Sequence, residues 1–331
     1  MPKLWLLSSR YLRGDVGRYL LQRLVTLIGI LFVVSIGSFY LIHLLPGDPA
    51  VFILGLNYNS VTKAALDIQL GLNKPIYLQY FTWIGHVLHG NLGTSFISHQ
   101  TVISTISRAL PVELELIVLS QIMAFGAAIP LAMRSARKPD STLDRVLSAS
   151  SFVLLSIPIF ILIVLLVLLV SIKLGIPNTG PSTYVPFMQN PGVNLMSLLL
   201  PAITMATGSF VLYFRVLRSD MTGILQEEFI TMARSKGISQ RRIMWRHAFR
   251  PASVSLLGSA GVNIGGLLAS GFIIQFLLAI PGLGFTLIAA INTSDYLLVQ
   301  GIVLVVSAGV IIVNFMFDLI IFFVDPRIAR D

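Results

Sequence analysis

The chain has 331 residues, of which 55% are hydrophobic and only 11% are charged, whereas soluble domains are about 45–50% apolar and about 25% charged. Its 23 Lys and Arg residues outnumber its 14 Asp and Glu residues, which gives a net charge of +9. So few charges cannot cover a large water-exposed surface, and the composition excludes an ordinary soluble fold. The sequence has no cysteine, which excludes disulfides, thiolate metal sites and cysteine nucleophiles.

Six apolar blocks are long enough to cross a hydrocarbon core about 30 Å thick. They cover residues 24–45, 112–133, 146–172, 195–217, 252–278 and 300–324. Backbone polar groups in lipid must pair within their own segment, so blocks of this length are expected to be helices. The first block exceeds the apolar run of a signal peptide, about 7–15 residues, and LLPGDPA follows it instead of a cleavage site. The sequence therefore predicts an all-α integral membrane protein with six transmembrane helices.

The positive charges are distributed unevenly among the segments that join these blocks. Nineteen of the 23 Lys and Arg residues lie before the first block, around the second and fourth loops and at the C-terminus. Cytoplasmic segments collect such residues, so both termini are expected in the cytoplasm. The positive charge is therefore explained by membrane topology, and lipid rather than nucleic acid is the expected partner. The predicted division is 1–23 cytoplasmic, 24–45 first helix, 46–110 external, 111–324 membrane core with a cytoplasmic loop at 221–250, and 325–331 cytoplasmic tail.

The external segment has helical character. Ser60 is expected to cap a short helix that ends near Leu72, and Pro75 to open a second one that ends at Gly90. The second helix would place Ile76, Tyr80, Ile84 and Leu88 on one face. Two interpretations remain open: a docking or gating element, or a helix that covers the bundle at the interface. The three histidines here (His86, His89 and His99) form no recognisable ligand pattern, so no metal site is predicted.

Small residues are concentrated in the fifth block, namely Gly258, Gly261, Gly265, Gly266, Ser270 and Gly271. Small residues four apart let membrane helices approach closely. The pattern favours static helix packing, and a surface that slides during gating is the alternative.

Ionisable residues are almost missing from the blocks, although proton- or sodium-coupled transporters require them. Glu113 and Glu115 follow Pro111 and are expected in the first turn of a helix, where the helix dipole favours carboxylates. Asp318, with Asn314 one turn before it, is expected to form a hydrogen bond between helices. No nucleotide-binding GxxxxGK[ST] loop is present. The chain is therefore predicted not to be an enzyme and to draw its energy from another protein; an ion-coupled carrier is the less favoured alternative.

The fourth loop is too apolar for a plain loop and too charged for the membrane. Glu227 and Glu228 come early and Arg234 and Lys236 late, which complements a helix dipole, and Gly237 suits the left-handed position after the helix end. Ser239 would then cap a second helix before Pro251 opens the next span. The residues that repeat at about 3.6 within the first helix are Ile224, Leu225, Glu228, Phe229, Met232 and Ala233. Such a helix can lie in a groove of a soluble partner or rest on anionic lipid.

The segment EEFITMARSKGISQRRIMWRHAFRPA resembles the EAA-type loop of bacterial ABC-transporter permeases of the peptide, opine and nickel import class. Other segments resemble the same family in the same order. They are HLLPGDPA (43–50), the external stretch 70–96, ALPVELELIVLS (109–120), and two closing segments at 280–301 and 314–330.

This resemblance implies a type I importer permease in the bacterial cytoplasmic (inner) membrane, without a cofactor. Its expected partners are a second, related permease in a heterodimer, two ATP-binding subunits, and an extracellular or periplasmic substrate-binding protein. Di- or oligopeptides are the expected cargo, with nickel, opines or oligosaccharides as alternatives. The expected ATPase-coupling residues are Glu227, Glu228, Phe229, Ala233, Arg234, Lys236 and Gly237.

Two departures from the family pattern bear on function. Thr231 and Met232 stand where the older motif has Glu and Ala. Gln275 stands where members usually have Glu, and together with Pro281 and Gly282 it forms a possible gating region. Helices two to six are expected to form the pore face on the basis of this resemblance.

Overall fold

The computed structural model describes residues 21–40, 59, 63, 73–95 and 97–324, the side chain of Phe323 excepted. The predicted first helix of the external segment (60–72), the 43–50 motif and most of both predicted terminal segments lie outside these residues. The helices in the described part are α1 (Leu21–Tyr40), α2 (Ile76–Leu88), α3 (Val102–Arg137), α4 (Thr142–Ser156), α5 (Ile159–Lys173), α6 (Pro191–Ile224), α7 (Glu228–Ser235), α8 (Gln240–Leu278), α9 (Leu283–Asn292) and α10 (Tyr296–Val324).

Five of these helices are long and apolar enough to cross a membrane, and the bent pair α4 and α5 makes up to six among the described residues. The all-α membrane fold is therefore confirmed. The third block is not one straight helix, because the chain bends by 102° between α4 and α5. Pro158 precedes the first residue of α5 in an extended conformation, and proline has no N–H to continue the helical hydrogen bonds of α4.

The helices belong to two units. Among the described residues, one unit comprises 21–25, Leu114–Ile280 and 312–324, and the other comprises those between Thr26 and Glu113 together with Pro281–Ile311.

In the second unit, α2 packs against α1 through aromatic side chains. The Tyr80 hydroxyl lies 2.7 Å from the Ser35 hydroxyl, and the Phe39 ring lies 5.6 Å from that of Trp83. The predicted helix and its left-handed Gly90 (φ 77°) are confirmed. The predicted face is only partly correct, because Tyr80 is buried whereas Ile76 and Leu88 are exposed.

In the first unit, α6 lies at the centre and packs against α4, α5 and α8. A ladder of alanines on α3 also faces it, and these alanines are all buried: Ala124, Ala128, Ala132 and Ala136. Their spacing of four residues puts them on one side of α3. Large buried side chains of α6, including Tyr213, Phe214 and Leu217, belong to the same cluster. Small residues on one helix thus make room for large ones on the next.

The glycines of the fifth block differ in their surroundings. A Cβ built on Gly261 would lie 3.2 Å from the Phe317 Cβ and 3.5 Å from the Asn314 oxygen of α10. One built on Gly266 would meet no atom of the described residues within 4 Å. Close packing is therefore confirmed at Gly261, and the described part of the chain shows none at Gly266.

Gly261→Ala is expected to lower the stability of the protein by about 1–3 kcal/mol through overpacking. Gly266→Ala is the matched control, and alanine there is expected to be neutral or to add up to about 1 kcal/mol through helix propensity. Thermal unfolding of both variants in one detergent measures the difference. Equal midpoints for the two variants would contradict the packing argument.

The first and last spanning helices are joined by an ion pair. Arg23 Nη1 of α1 lies 2.9 Å from Asp318 Oδ2 of α10. The predicted polar bond between helices at Asp318 is confirmed, and its partner is Arg23.

Candidate functional site

The helix of the fourth loop, α7, is anchored by one buried side. Ile230 and Ala233 are buried and pack with Ile243 from the following helix, and Leu225 and Ile238 cover them. Glu227 precedes the first turn in an extended conformation and Glu228 lies within it. The carboxylates are therefore at the positive end of the helix dipole, as the sequence predicts.

Gly237 ends α7 in the left-handed conformation (φ 72°), which confirms the sequence prediction. Its N–H donates to the Arg234 carbonyl over 2.9 Å, and the N–H of Ile238 donates to the Ala233 carbonyl over 3.2 Å. These two bonds define a Schellman motif. Ile238 and Ala233 also meet in the apolar cluster beneath the helix, so the turn directs the chain back over the anchored side.

The opposite side of α7 is exposed and carries two large apolar side chains. Phe229 is 48% exposed and Met232 is 59% exposed. The charged side chains expected to contact an ATPase surround them and are also exposed: Glu227, Glu228, Arg234 and Lys236. The predicted repeat is wrong in one respect, since it places Phe229 and Met232 with Ala233, which lies on the buried side. Ile230, which anchors the helix, is missing from that repeat.

The second helix of the loop continues into the fifth span. The sequence predicts that Pro251 opens the fifth span, and this proline does lie in the first turn of the α-helix Arg250–Leu278. The helical stretch of 39 residues nevertheless runs through α8 without a gap. Its turns widen to a π-helix over Ile243–Phe249, which ends two residues before the proline. Wider turns accommodate a ring that would crowd the carbonyl four residues earlier. Consequently α7 lies between two long helices, α6 before it and α8 after it.

An ion pair between the half-buried Arg218 and the buried Asp144 fixes the end of α6 that leads into α7. Arg218 Nε lies 2.5 Å from Asp144 Oδ1 and Nη2 lies 2.6 Å from Oδ2, so the pair is bidentate. The Ser135 hydroxyl of α3 donates to Asp144 Oδ1, and the backbone N–H of Asp140 donates to Oδ2 over 2.9 Å. Asp144 is only 2% exposed. We call these residues (Ser135, Asp144 and Arg218) the clamp, since they join the ends of α3, α4 and α6.

The sequence analysis missed the clamp. Asp144 and Arg218 are 74 residues apart. Both lie in charge-rich segments at the ends of apolar blocks, where charged side chains are expected to be exposed to water. One local signal was present, because Ser141 caps α4 and its hydroxyl accepts from the Asp144 N–H over 3.3 Å.

A second cluster of hydrogen-bonded polar side chains lies among α3, α6 and α8. The Tyr213 hydroxyl donates to Gln121 Oε1 over 2.6 Å, and Asn263 Nδ2 donates to Ser209 Oγ over 2.7 Å and to the Tyr213 oxygen over 3.2 Å. Gln121 Nε2 completes the group with a bond of 3.3 Å to Ser209 Oγ. Four neutral side chains thus form one network, which was not predicted from the sequence because the partners lie on three different apolar blocks.

The possible gating residues lie where α8 ends. Gln275 is fully buried in the last turn, and its backbone carbonyl accepts from the Ile280 N–H over 2.9 Å. Ala279 takes the left-handed conformation (φ 50°) that glycine usually occupies. Pro281 is exposed and Gly282, which is buried, precedes α9 as its N-cap.

The expectation for Glu113 and Glu115 is wrong, because α3 begins at Val102 and its first turn holds no acidic residue. The two carboxylates lie about three turns into the helix. Glu115 Oε2 accepts from Asn194 Nδ2 over 3.0 Å and from the Tyr184 hydroxyl over 3.3 Å. Glu115 therefore holds the loop between α5 and α6. The pKa of Tyr184 is raised to about 12, mainly by burial of its hydroxyl and secondly by the negative charge of Glu115.

Two family models together match almost the whole chain. The model described as "Binding-protein-dependent transport system inner membrane component" matches residues 128–330, and the model of the N-terminal membrane component of such systems matches residues 16–117.

Curated relatives match over nearly their full lengths. A peptide transport system permease protein of Brucella abortus (strain 2308) is 34% identical over 313 residues, which cover 94% of this chain and 99% of the relative. The oligopeptide transport system permease protein AppB of Bacillus subtilis is 29% identical over 311 residues, covering 94% and 98%. The nickel import system permease protein NikB of Staphylococcus aureus (strain bovine RF122 / ET3-1) is 29% identical over 311 residues, covering 93% and 90%.

With several membrane-spanning helices, a structured loop helix and these matches along the sequence, the chain belongs to the family of binding-protein-dependent transport system inner membrane components, as a permease subunit of an ABC importer.

Proposed function

We propose that this chain forms half of the pore of an importer for di- or oligopeptides and that α7 is its coupling helix. The observation that carries the proposal is the exposed apolar pair Phe229 and Met232 on a helix whose other side is anchored. Exposed apolar side chains ringed by charges are typical of a docking surface. The peptide cargo is supported by the names of the relatives from Brucella abortus and Bacillus subtilis.

In this proposal the partners are a second, related permease, two ATP-binding subunits and an external substrate-binding protein. The loop that contains α7 faces the cytoplasm together with both termini, in agreement with the distribution of Lys and Arg. Residues 1–23 and 325–331 are then cytoplasmic, and 46–110 holds the external segment. Glu227, Glu228, Arg234 and Lys236 contact the ATPase around the apolar pair.

ATP-driven closure of the ATPase dimer would displace α7. The two helices joined to it, α6 and α8, pack extensively against each other. Packed helices move as rigid elements with discrete arrangements, so the displacement reaches the middle of the membrane through both of them. The clamp keeps the end of α6 aligned with α3 and α4 during this movement.

Met232→Glu is expected to reduce co-purification of the ATPase with the permease at least about tenfold, since buried apolar anchors dominate interface energies. Met188→Glu is the matched control, because Met188 is 94% exposed and lies in the loop on the proposed external side. Loss of the ATPase from both variants, or from neither, would count against α7 as the docking helix.

The cargo is tested separately with the complete transporter in proteoliposomes. Uptake of a labelled dipeptide that requires ATP and the substrate-binding protein is the expected result. Uptake of Ni²⁺ without uptake of any peptide would contradict the peptide assignment and leave the coupling proposal intact.

A further inference from the structure

The polar network of Gln121, Ser209, Tyr213 and Asn263 joins three of the apolar blocks that are long enough to span a membrane. Gln121, Ser209 and Asn263 each fall within about three residues, or about 5 Å along the helix axis, of the middle of their apolar blocks. Polar groups at this depth are expensive in lipid and are associated with transport paths or with bonds between helices.

The network has a closed side and an open side. Ser209 and Tyr213 are buried, whereas Gln121 and Asn263 are half-buried. Tyr213 is held rigidly, since its ring stacks on Phe125 with centroids 4.6 Å apart. The buried pair therefore orients the two amides, and the edges of the amides reach the surface of the unit.

Hydrogen-bonding capacity remains on that open side. Asn263 uses its Nδ2 group for Ser209 and Tyr213, and its Oδ1 receives no hydrogen bond from the described residues. Gln121 uses its Oε1 and one bond from its Nε2, so a second N–H of Nε2 remains. One acceptor and one donor thus stand on neighbouring helices. Lipid cannot bond to either of them, and exposing them to lipid would be unfavourable.

We infer that Gln121 and Asn263 face the transport path and contact the amide groups of the cargo. The Asn263 Oδ1 accepts a hydrogen bond from the N–H of a cargo peptide bond. The Gln121 Nε2 donates a hydrogen bond to the carbonyl of the cargo. A neutral donor and acceptor pair matches a peptide backbone irrespective of side chains, which suits an importer of varied peptides. This inference rests on the proposed peptide import and adds the residues that recognise the cargo within the membrane.

The test compares alanyl-alanine with alanyl-lactate, in which an ester oxygen replaces the amide N–H. ATP-dependent uptake of both labelled compounds is measured in proteoliposomes for the native transporter and for Asn263→Ala. The native transporter is expected to have a lower KM for the amide than for the ester. In Asn263→Ala the ratio of the ester KM to the amide KM is expected to fall about fivefold, the factor that one ordinary hydrogen bond contributes. The preference of the substrate-binding protein is the same in every arm and cancels.

Thr207→Val is the matched control. Among the described residues its hydroxyl bonds to the Ile203 carbonyl of its own helix alone, over 2.8 Å, so this variant is expected to keep the native preference. An Asn263→Ala transporter that retains the full preference would overturn the inference. If Asn263→Ala fails to assemble, Asn263→Ser, which shortens the side chain and keeps a hydroxyl, replaces it in the same comparison. Absence of dipeptide uptake by the native transporter would instead be a failure of the proposed function.

Discussion

Arg218→Met is expected to destabilise the protein by about 3 kcal/mol, the lower end of the range for removing one partner of a buried ion pair, because the Arg218 side chain itself is 29% exposed. Asp144 is almost completely buried and both of its oxygens accept from the guanidinium. Without Arg218, the donors left to the carboxylate oxygens within the described part of the chain are the Ser135 hydroxyl and the Asp140 N–H. Thermal unfolding of the purified protein in a mild detergent measures this effect.

The double variant Asp144→Asn/Arg218→Met tests the cause. Removing both charges takes away the uncompensated carboxylate, so the double variant is expected to recover a large part of the lost stability. A double variant less stable than Arg218→Met would show that the clamp contributes through packing rather than through its charges.

Gly301→Ala is expected to destabilise the second unit by about 1–3 kcal/mol, or to prevent its correct packing. A Cβ on Gly301 of α10 would lie well inside 3.0 Å of Val102 Cγ1, and Val102 is fully buried at the start of α3. Valine has little rotameric freedom in a helix, so the clash is relieved only by moving one of the helices. The thermal unfolding midpoint and the yield of monodisperse protein are the measurements.

Gly309→Ala is the control on the same helix, since a Cβ there would meet no atom of the described part of the chain within 4 Å. It is expected to be neutral or slightly stabilising. Val102→Ala added to Gly301→Ala should restore room and stability together. Full stability of Gly301→Ala alone would refute the close approach of α3 and α10 at this point.

The spanning helices and the end of α7 could be predicted from the sequence because both depend on local patterns. Apolar blocks of sufficient length must be helical in lipid, and each of the six overlaps a helix or the bent pair. Gly237 was predictable because acidic residues before it and basic residues near it mark the two ends of one short helix.

Features that depend on the partner of a side chain could not be predicted. The clamp joins residues 74 positions apart, and neither Asp144 nor Arg218 differs in its sequence context from a solvated charge at a block end. The side of α7 that is buried could also not be predicted from the spacing of its apolar residues. In a helix of eight residues, Ile230 and Phe229 are adjacent apolar positions, and only the contact with Ile243 decides which of them is buried.

The first residue of α3 could not be predicted from hydrophobicity. Residues 102–110 are mixed in polarity, so the apolar block begins only after them, but the helix extends back to Val102 because this residue packs beside Gly301. Tertiary packing therefore extended the helix beyond the hydrophobic signal and moved Glu113 and Glu115 from a first turn to the helix interior.

Site-directed crosslinking on α7 tests the central claim most directly. The chain has no cysteine, so Met232→Cys and Met188→Cys each introduce a single reactive thiol at an exposed position. The account predicts that Met232→Cys crosslinks to an ATP-binding subunit with a yield that changes when ATP is added, and that Met188→Cys gives no such product. An ATPase crosslink at Met188 and none at Met232 would contradict the assignment of α7 as the coupling helix.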